Sequence, residues 1–319
     1  KFADIPLLSR MDAVAETFID EIETLLNRDL PEEERIPLIE KFRKMYETMD
    51  FYVLYNRFLK KEGYQTLPRR PLEKRKLRYE DVYPILYLKY RLSRQAERSN
   101  IKHLVIDEMQ DYSLLQYLII RRMFSCKMTI LGDRAQTMAD QQQDVLQFLP
   151  GIFGKDLRRI EMRKSYRNTV EIASYAANLI GVTDLELFER HGMPVLERDV
   201  TDLEAALREA VDTLLPDEKT YETAAVIVPD EKTAERAYLI LRGILAEKDF
   251  DCGKRLSWLN RDSSSFKKGL TVTTFYLAKG LEFDQVFSIF PKDEKREIMM
   301  QAQYIAATRA LHELRVYHI

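Results

Sequence analysis

Cysteine is scarce: Cys126 and Cys252 are the two in 319 residues, far apart, with no histidine or second cysteine near either. That spacing excludes a disulfide framework or a zinc module and fits a reducing, cytoplasmic setting. Long apolar runs are missing too. None approaches the roughly 18–20 residues of a membrane span, and no signal-peptide pattern opens the chain. Charge of one sign is not in excess, since 50 Lys and Arg stand against 52 Asp and Glu. The field of the whole molecule therefore gives no reason for nucleic-acid binding, and such a partner would have to meet a local basic patch. His103, His191, His312 and His318 are scattered without metal-ligand spacing, and the single Trp258 reads as packing.

What is present suits a globular protein with well-solvated helices: 45% hydrophobic and 32% charged residues, over a length sufficient for two domains. The first hundred residues read as helices. Val14, Phe18, Ile22 and Leu25 share one helical face, and Ile39, Phe42, Met45 and Met49 another after the start signal "LPEEER". "FYVLYNRFLKK" and "YEDVYPILYLKYRL" continue the arm, the latter with an expected kink near Pro84. From Leu104 the pattern alternates. "HLVI", "KMTIL", "LRRIEM", "AAVIVP", "LTVTT", "QVFSIF" and "ELRVYHI" read as strands, with helical patterns between most of them. Such alternation predicts an α/β fold with parallel sheets covered on both faces and ligands at the carboxyl ends of strands. "NRDSSSFKKG", residues 260–269, reads as a flexible loop.

In "IKHLVIDEMQDYS" a buried strand runs into Asp107, Glu108, Gln110 and Asp111. Acids at that place can hold Mg²⁺ through water and deprotonate an attacking water, whereas Asp111 or Ser113 can simply cap the next helix. "ILGDRAQTM" puts Gln136 after a strand-end Gly132-Asp133. "RKSYRNTVEI" sets Tyr166 and Arg167 before a helix with Asn168 as its expected cap. "TVTTFYLAKGLEFDQVF" places Lys279-Gly280-Leu281-Glu282 between two strands, and "YIAATRALHEL" carries Thr308-Arg309.

Taken in order, "VIDEMQD", "LGDRAQ", "SYRN", "TFYLAKGLEFD" and "YIAATRA" resemble motifs II to VI of superfamily 1 helicases of the UvrD/Rep kind, over residues 105–310. The upstream "RYEDVYPILYLKYRL" resembles the HelD-type, RNA-polymerase-associated branch more than UvrD itself. The resemblance implies RecA-like (P-loop NTPase) lobes with an N-terminal helical arm: residues 1–97 as arm, 98–150 as the end of a first lobe and 151–319 as a second. It implies ATP and Mg²⁺ as cofactors, with ATP hydrolysed between the lobes and coupled to movement on DNA or displacement of a DNA-bound partner. Asp107 would bind Mg²⁺, Glu108 would be the catalytic base and Gln136 would sense the γ-phosphate. Arg167 and Arg309 would be the paired arginine fingers. Tyr166 would stack on adenine, Gly280 would let backbone amides approach the phosphates and Glu282 would bond the ribose. Thr274 and Tyr276 fall where the family meets single-stranded nucleic acid.

The sequence also departs from the family. None of its ten glycines belongs to a G-x-x-x-x-G-K-[ST] loop, and the nearest run, Gly151 to Asp156, has the wrong spacing and no hydroxyl for Mg²⁺. The expectation is that this chain is the C-terminal portion of a longer protein whose missing N-terminal part holds that loop, and that the portion alone is inactive. "TMADQQQD" replaces the family's aromatic-Arg-Gly segment, and Tyr276 stands where a His is usual. Base stacking contributes roughly 1–3 kcal/mol per base to grip on a single strand. A motor that displaces proteins fits these changes better than a processive unwinder. The alternative is an RNA-polymerase-binding module whose function lies in the arm, and a recombination nuclease subunit is a third reading. Between Arg57 and Arg78, nine cations meet two acids. That stretch is either a polyanion surface or a solvated helix face.

Overall fold

The computed structural model describes residues 5–93, 100–137, 144–162, 164–182, 186–217, 221–248, 250–263, 268–292 and 297–319. The chain divides into two units, Lys1–Gly132 with Gln143–Leu157, and Asp133–Gln142 with Arg158–Ile319.

The first unit opens with the helices its spacing predicts. α1 (Arg10–Leu26) buries Ala15 and Ile19 and ends on Asn27 in the left-handed region. α2 (Glu32–Arg43) starts after Pro31 with three acids in its first turn, which favour the positive end of the helix dipole. The pair is held by the Phe18 and Phe42 rings, 5.7 Å apart, and by Arg35 between Glu16 and Glu23 at 2.7 and 2.8 Å. The expected stripe does not reach Met45 and Met49. Asp50 caps α3 (Phe51–Lys61) by accepting from the Tyr52 amide, so the chain leaves the helix after Arg43 to start a new one. Met45 is 65% exposed as a result. α4 (Tyr79–Leu92) runs through Pro84 as one continuous helix. Tyr52, Tyr55, Leu59 and Leu67 form a core with Ile85 and Leu88 of that helix.

β1 (His103–Ile106), α5 (Leu114–Met123), β2 (Lys127–Ile130) and α6 (Val145–Phe153) complete the unit. β1 and β2 pair in parallel with Ile106 opposite Ile130. Ser113 caps α5 in a reciprocal box with Gln116, while Asp111 lies in the preceding turn and does not cap it.

The second unit begins with β3 (Lys164–Ser165), α7 (Val170–Leu179) and β4 (Glu186–Leu187), β3 and β4 pairing in parallel. The strand expected over "LRRIEM" is absent. Its apolar residues do not alternate and nothing covers them: Ile160 and Met162 are each 85% exposed. Then follow β5 (Leu196–Asp199), α8 (Leu203–Asp217), β6 (Thr223–Val228), α9 (Glu231–Ala246), α10 (Cys252–Arg255), β7 (Leu256–Trp258), β8 (Gly269–Thr274), β9 (Phe283–Phe290), α11 (Glu297–Ala307) and β10 (Ala310–His318). They form a six-stranded sheet of order β5-β10-β9-β6-β8-β7, parallel at every pairing described. This is the α/β class the sequence predicts. β6 shows why its sequence is apolar throughout: Ala224, Val226 and Val228 face a core shared with α8 and α9, while Ala225 and Ile227 face one shared with α7 and α11. The expected loop over residues 260–269 falls partly outside the described residues, and its last residue, Gly269, already belongs to β8.

Candidate functional site

In the first unit, β1 delivers Asp107 and Glu108 into a tight turn. Glu108 has φ of +52°, one of two non-glycine residues with positive φ among the described residues. Backbone held in that region costs of order 1–3 kcal/mol and persists where surrounding contacts fix it. They do so here. Asp107 Oδ1 accepts from the Glu108 amide at 2.8 Å, Gln110 Nε2 donates to Glu108 Oε2 at 2.5 Å, and the Met109 amide donates to Leu131 O at 2.8 Å. The buried Tyr117 hydroxyl donates to Met109 O at 3.1 Å. The turn therefore presents the two acids from a rigid seat, with Asp107 exposed.

In the second unit, one set of hydrogen bonds ties three of the quoted motifs together. Arg309 is 2% exposed, and its guanidinium donates to Leu281 O at 3.4 Å, Ile305 O at 3.3 Å and Thr308 Oγ1 at 3.3 Å. Leu281 lies between Gly280, whose φ is +76°, and Glu282. Glu282 Oε1 in turn sits 2.7 Å from Arg167 Nε. Next to Arg167, the Asn168 amide donates to Ala310 O at 2.6 Å and Thr308 O at 3.2 Å. Asn168 is thus not the helix cap. Thr169 takes that role, its hydroxyl accepting from the Ile172 amide. The Phe283 amide donates to Arg309 O at 3.0 Å. The cluster lies at the amino ends of β9 and β10, where Phe283 pairs with Ala310, and not at carboxyl ends as the fold class predicts.

A second group surrounds Gln136, which is buried. Its Nε2 donates to Asp133 Oδ2 at 2.9 Å, and Tyr304 of α11 donates to the same oxygen at 3.1 Å. Burial, reinforced by Asp133, pushes the Tyr304 phenol up, so it stays a donor. Gln136 Oε1 is buried with no hydrogen-bond partner among the described residues, a group that a ligand donor or water would satisfy.

Tyr166 is 60% exposed, with its ring 5.6 Å from Phe188 and the Lys164 ammonium 5.5 Å above it. Thr274 and Tyr276 differ. Thr274 is fully buried at the end of β8 with an unpartnered hydroxyl, while Tyr276 is half-buried between Phe275 and Arg261. Tyr304 carries part of this geometry without having been singled out, and Asn168 and Asp133 were named only as an expected cap and a strand-end turn. The signal was available, since each lies inside or beside a quoted motif.

Residues 9–138 match the family model of the UvrD/REP helicase N-terminal domain. That match relates the first part of the α/β chain, residues 9–138, to the N-terminal domain of UvrD/REP helicases. Among solved structures it is similar to the C-terminal domain of a possible DNA helicase from Lactobacillus plantarum WCFS1, 24% identical, covering 49% of this chain and 88% of that one, with a TM-score of 0.38. It is similar to the PRRSV helicase at 16% identity, covering 68% of this chain and 35% of that one, TM-score 0.38. Arterivirus nonstructural protein 10, a helicase, is 14% identical over 83% of this chain and 50% of its own, TM-score 0.34. The chain thus spans a third to a half of those two viral helicases. No curated protein matches it.

Proposed function

We propose that this chain carries motifs II to VI of an ATP-dependent DNA translocase of the HelD-like branch, acting in the cytoplasm to displace a DNA-bound partner such as RNA polymerase. The observation that carries the reading is the bonded cluster in which Arg309 holds Leu281 O of the Gly280–Glu282 turn, Asn168 holds the backbone on either side of Arg309, and Arg167 pairs with Glu282. A surface arginine on an ordinary helix needs no such frame. Support also comes from Gln136 Oε1, a buried acceptor without a partner among the described residues.

The residues fit MgATP in part. Asp107 has the chemistry to hold Mg²⁺ through water. Glu108 Oε1, the oxygen not engaged by Gln110, would accept the proton of the attacking water. Gln136 would read the γ-phosphate, and Arg167 and Arg309 would offset the charge that develops on it. When bound, MgATP supplies the transferable phosphoryl group. These 319 residues hold no G-x-x-x-x-G-K-[ST] run to grip the triphosphate, so this reading expects the chain alone to turn ATP over poorly or not at all.

The test is ATP turnover by the full-length protein and its Glu108→Gln variant. Loss of a positioned base costs about 10²–10⁴ in rate. Turnover within twofold of the unsubstituted protein would remove the reading.

A further inference from the structure

The connection from the end of α3 to the start of α4 is short of acids, and the structure decides what its cations do. Three are engaged. Arg75 grips Asp50 through two bonds of 2.6 and 2.9 Å and lies 4.6 Å over the Tyr52 ring. Arg78 holds the buried Asp81 at 3.0 Å, and Arg57 pairs with Glu47. The other six, Lys60, Lys61, Arg69, Arg70, Lys74 and Lys76, are exposed and form no ion pair among the described residues. Only Glu62 and Glu73 lie among them.

A solvated charge run would be expected to be loose, and this one is fastened along its length. The Leu67 amide donates to Asn56 Oδ1 at 2.7 Å, and Asn56 Nδ2 returns a bond to Leu67 O at 3.2 Å. Tyr52 donates to Pro68 O at 2.7 Å and Arg75 Nε to Arg70 O at 3.0 Å. Tyr55 donates to Asp81 Oδ1 at 2.9 Å, and Leu67 is buried in the α3–α4 core. Two of the engaged arginines therefore act as internal clamps, and the free cations are displayed on the framework they hold. Ordering a loop on binding costs roughly 1–2 kcal/mol per residue of backbone, a cost this loop has largely met on folding. Lys60 and Lys61 also suit the negative end of α3 and Lys74 ends a single 3-10 turn, Leu72–Lys74, but Arg69, Arg70 and Lys76 end no helix.

We infer that this clamped loop is a binding surface for the phosphate backbone of duplex nucleic acid. A duplex carries one negative charge per roughly 1.7 Å of axis, a density that mixed-charge protein surfaces do not reach. Of the aromatic rings beside the loop, Tyr52 and Tyr55 are turned to the core, while Phe58 and Tyr64 are exposed but stand apart from the four cations between Arg69 and Lys76 in sequence. The surface lies outside the motifs on which the motor reading rests, so each can fail without the other.

The experiment is fluorescence anisotropy of a labelled duplex DNA titrated with this chain across a salt series, without nucleotide. The loop variant combines Arg69→Gln, Arg70→Gln, Lys74→Gln and Lys76→Gln. The control combines Lys232→Gln, Arg236→Gln, Arg242→Gln and Lys254→Gln, the same change of charge elsewhere. The loop variant is expected to bind about tenfold or more weakly at low salt, with the slope of log K against log salt reduced by about 0.9 for each phosphate no longer neutralised. The control should change little, and a thermal melt should show both variants folded. Equal losses of affinity in loop and control variants, or an unchanged slope, would overturn the inference. So would competition by polyglutamate as effective as by DNA, which would point to an acidic protein partner.

Discussion

At Gly132 a side chain has no room: a Cβ there would lie 2.4 Å from Met109 Cγ and 2.7 Å from the Met109 nitrogen. The glycine is what lets the end of β2 close over the turn that carries Glu108. Gly132→Ala is expected to destabilise the first unit by about 1–3 kcal/mol, the usual cost of overpacking, in a denaturant titration. A stability change under about 0.5 kcal/mol, the range of an ordinary surface substitution, would show that the turn yields easily. Asn168 makes a parallel case. Its amide serves two backbone carbonyls, so Asn168→Ala should cost about 1–3 kcal/mol by leaving a buried Ala310 O unpaired. The residue types at these positions were legible in the sequence, but Asn168 read as a cap because capping is a local rule. Its actual partners, Thr308 and Ala310, lie 140 and 142 positions away. Arg309 was legible as a motif residue. That its guanidinium supports Leu281 O from a buried position was not.

At the scale of elements, strands enclosed on both faces were readable and bare ones were not. "AAVIVP" and "QVFSIF" each meet two apolar layers, while "LTVTT" is buried with Leu270 and Val272 in one of them, and their composition says so. "LERD" forms the exposed edge strand β5 beside β10 and carries no such signal, while "LRRIEM" looked apolar enough and has nothing to pair with. The segment after β4 is anchored by chemistry rather than composition. Glu171, in the first turn of α7, accepts from the His191 ring at 2.9 Å and the Gly192 amide at 2.8 Å. The His191 bond, then the backbone bonds, hold the Glu171 carboxyl down at about 2. A carboxyl whose folded value is depressed stabilises the protein fully above its unfolded value near 4.5 and loses that contribution as pH falls toward 2. The stability difference between the unsubstituted chain and Glu171→Gln should thus be largest above about pH 5 and shrink toward about pH 2 in thermal melts. A constant difference across that range would mean that the carboxylate's bonds contribute nothing.

Across the whole molecule, the near-zero net charge concealed an uneven distribution. The α3–α4 connection is basic, and only the structure separates its clamping arginines from its displayed ones. The match to the UvrD/REP helicase N-terminal domain covers residues 9–138. The proposed function assigns the acids of the first unit and the arginine cluster of the second to ATP hydrolysis, and that assignment is what the central test addresses. The most direct measurement is ATP turnover by the full-length protein and its Arg309→Ala variant, with and without DNA. The account predicts turnover stimulated by DNA and a fall of about 10³–10⁵ in the variant, the scale of a lost arginine finger. Equal turnover by the two proteins, unmoved by DNA, would contradict it.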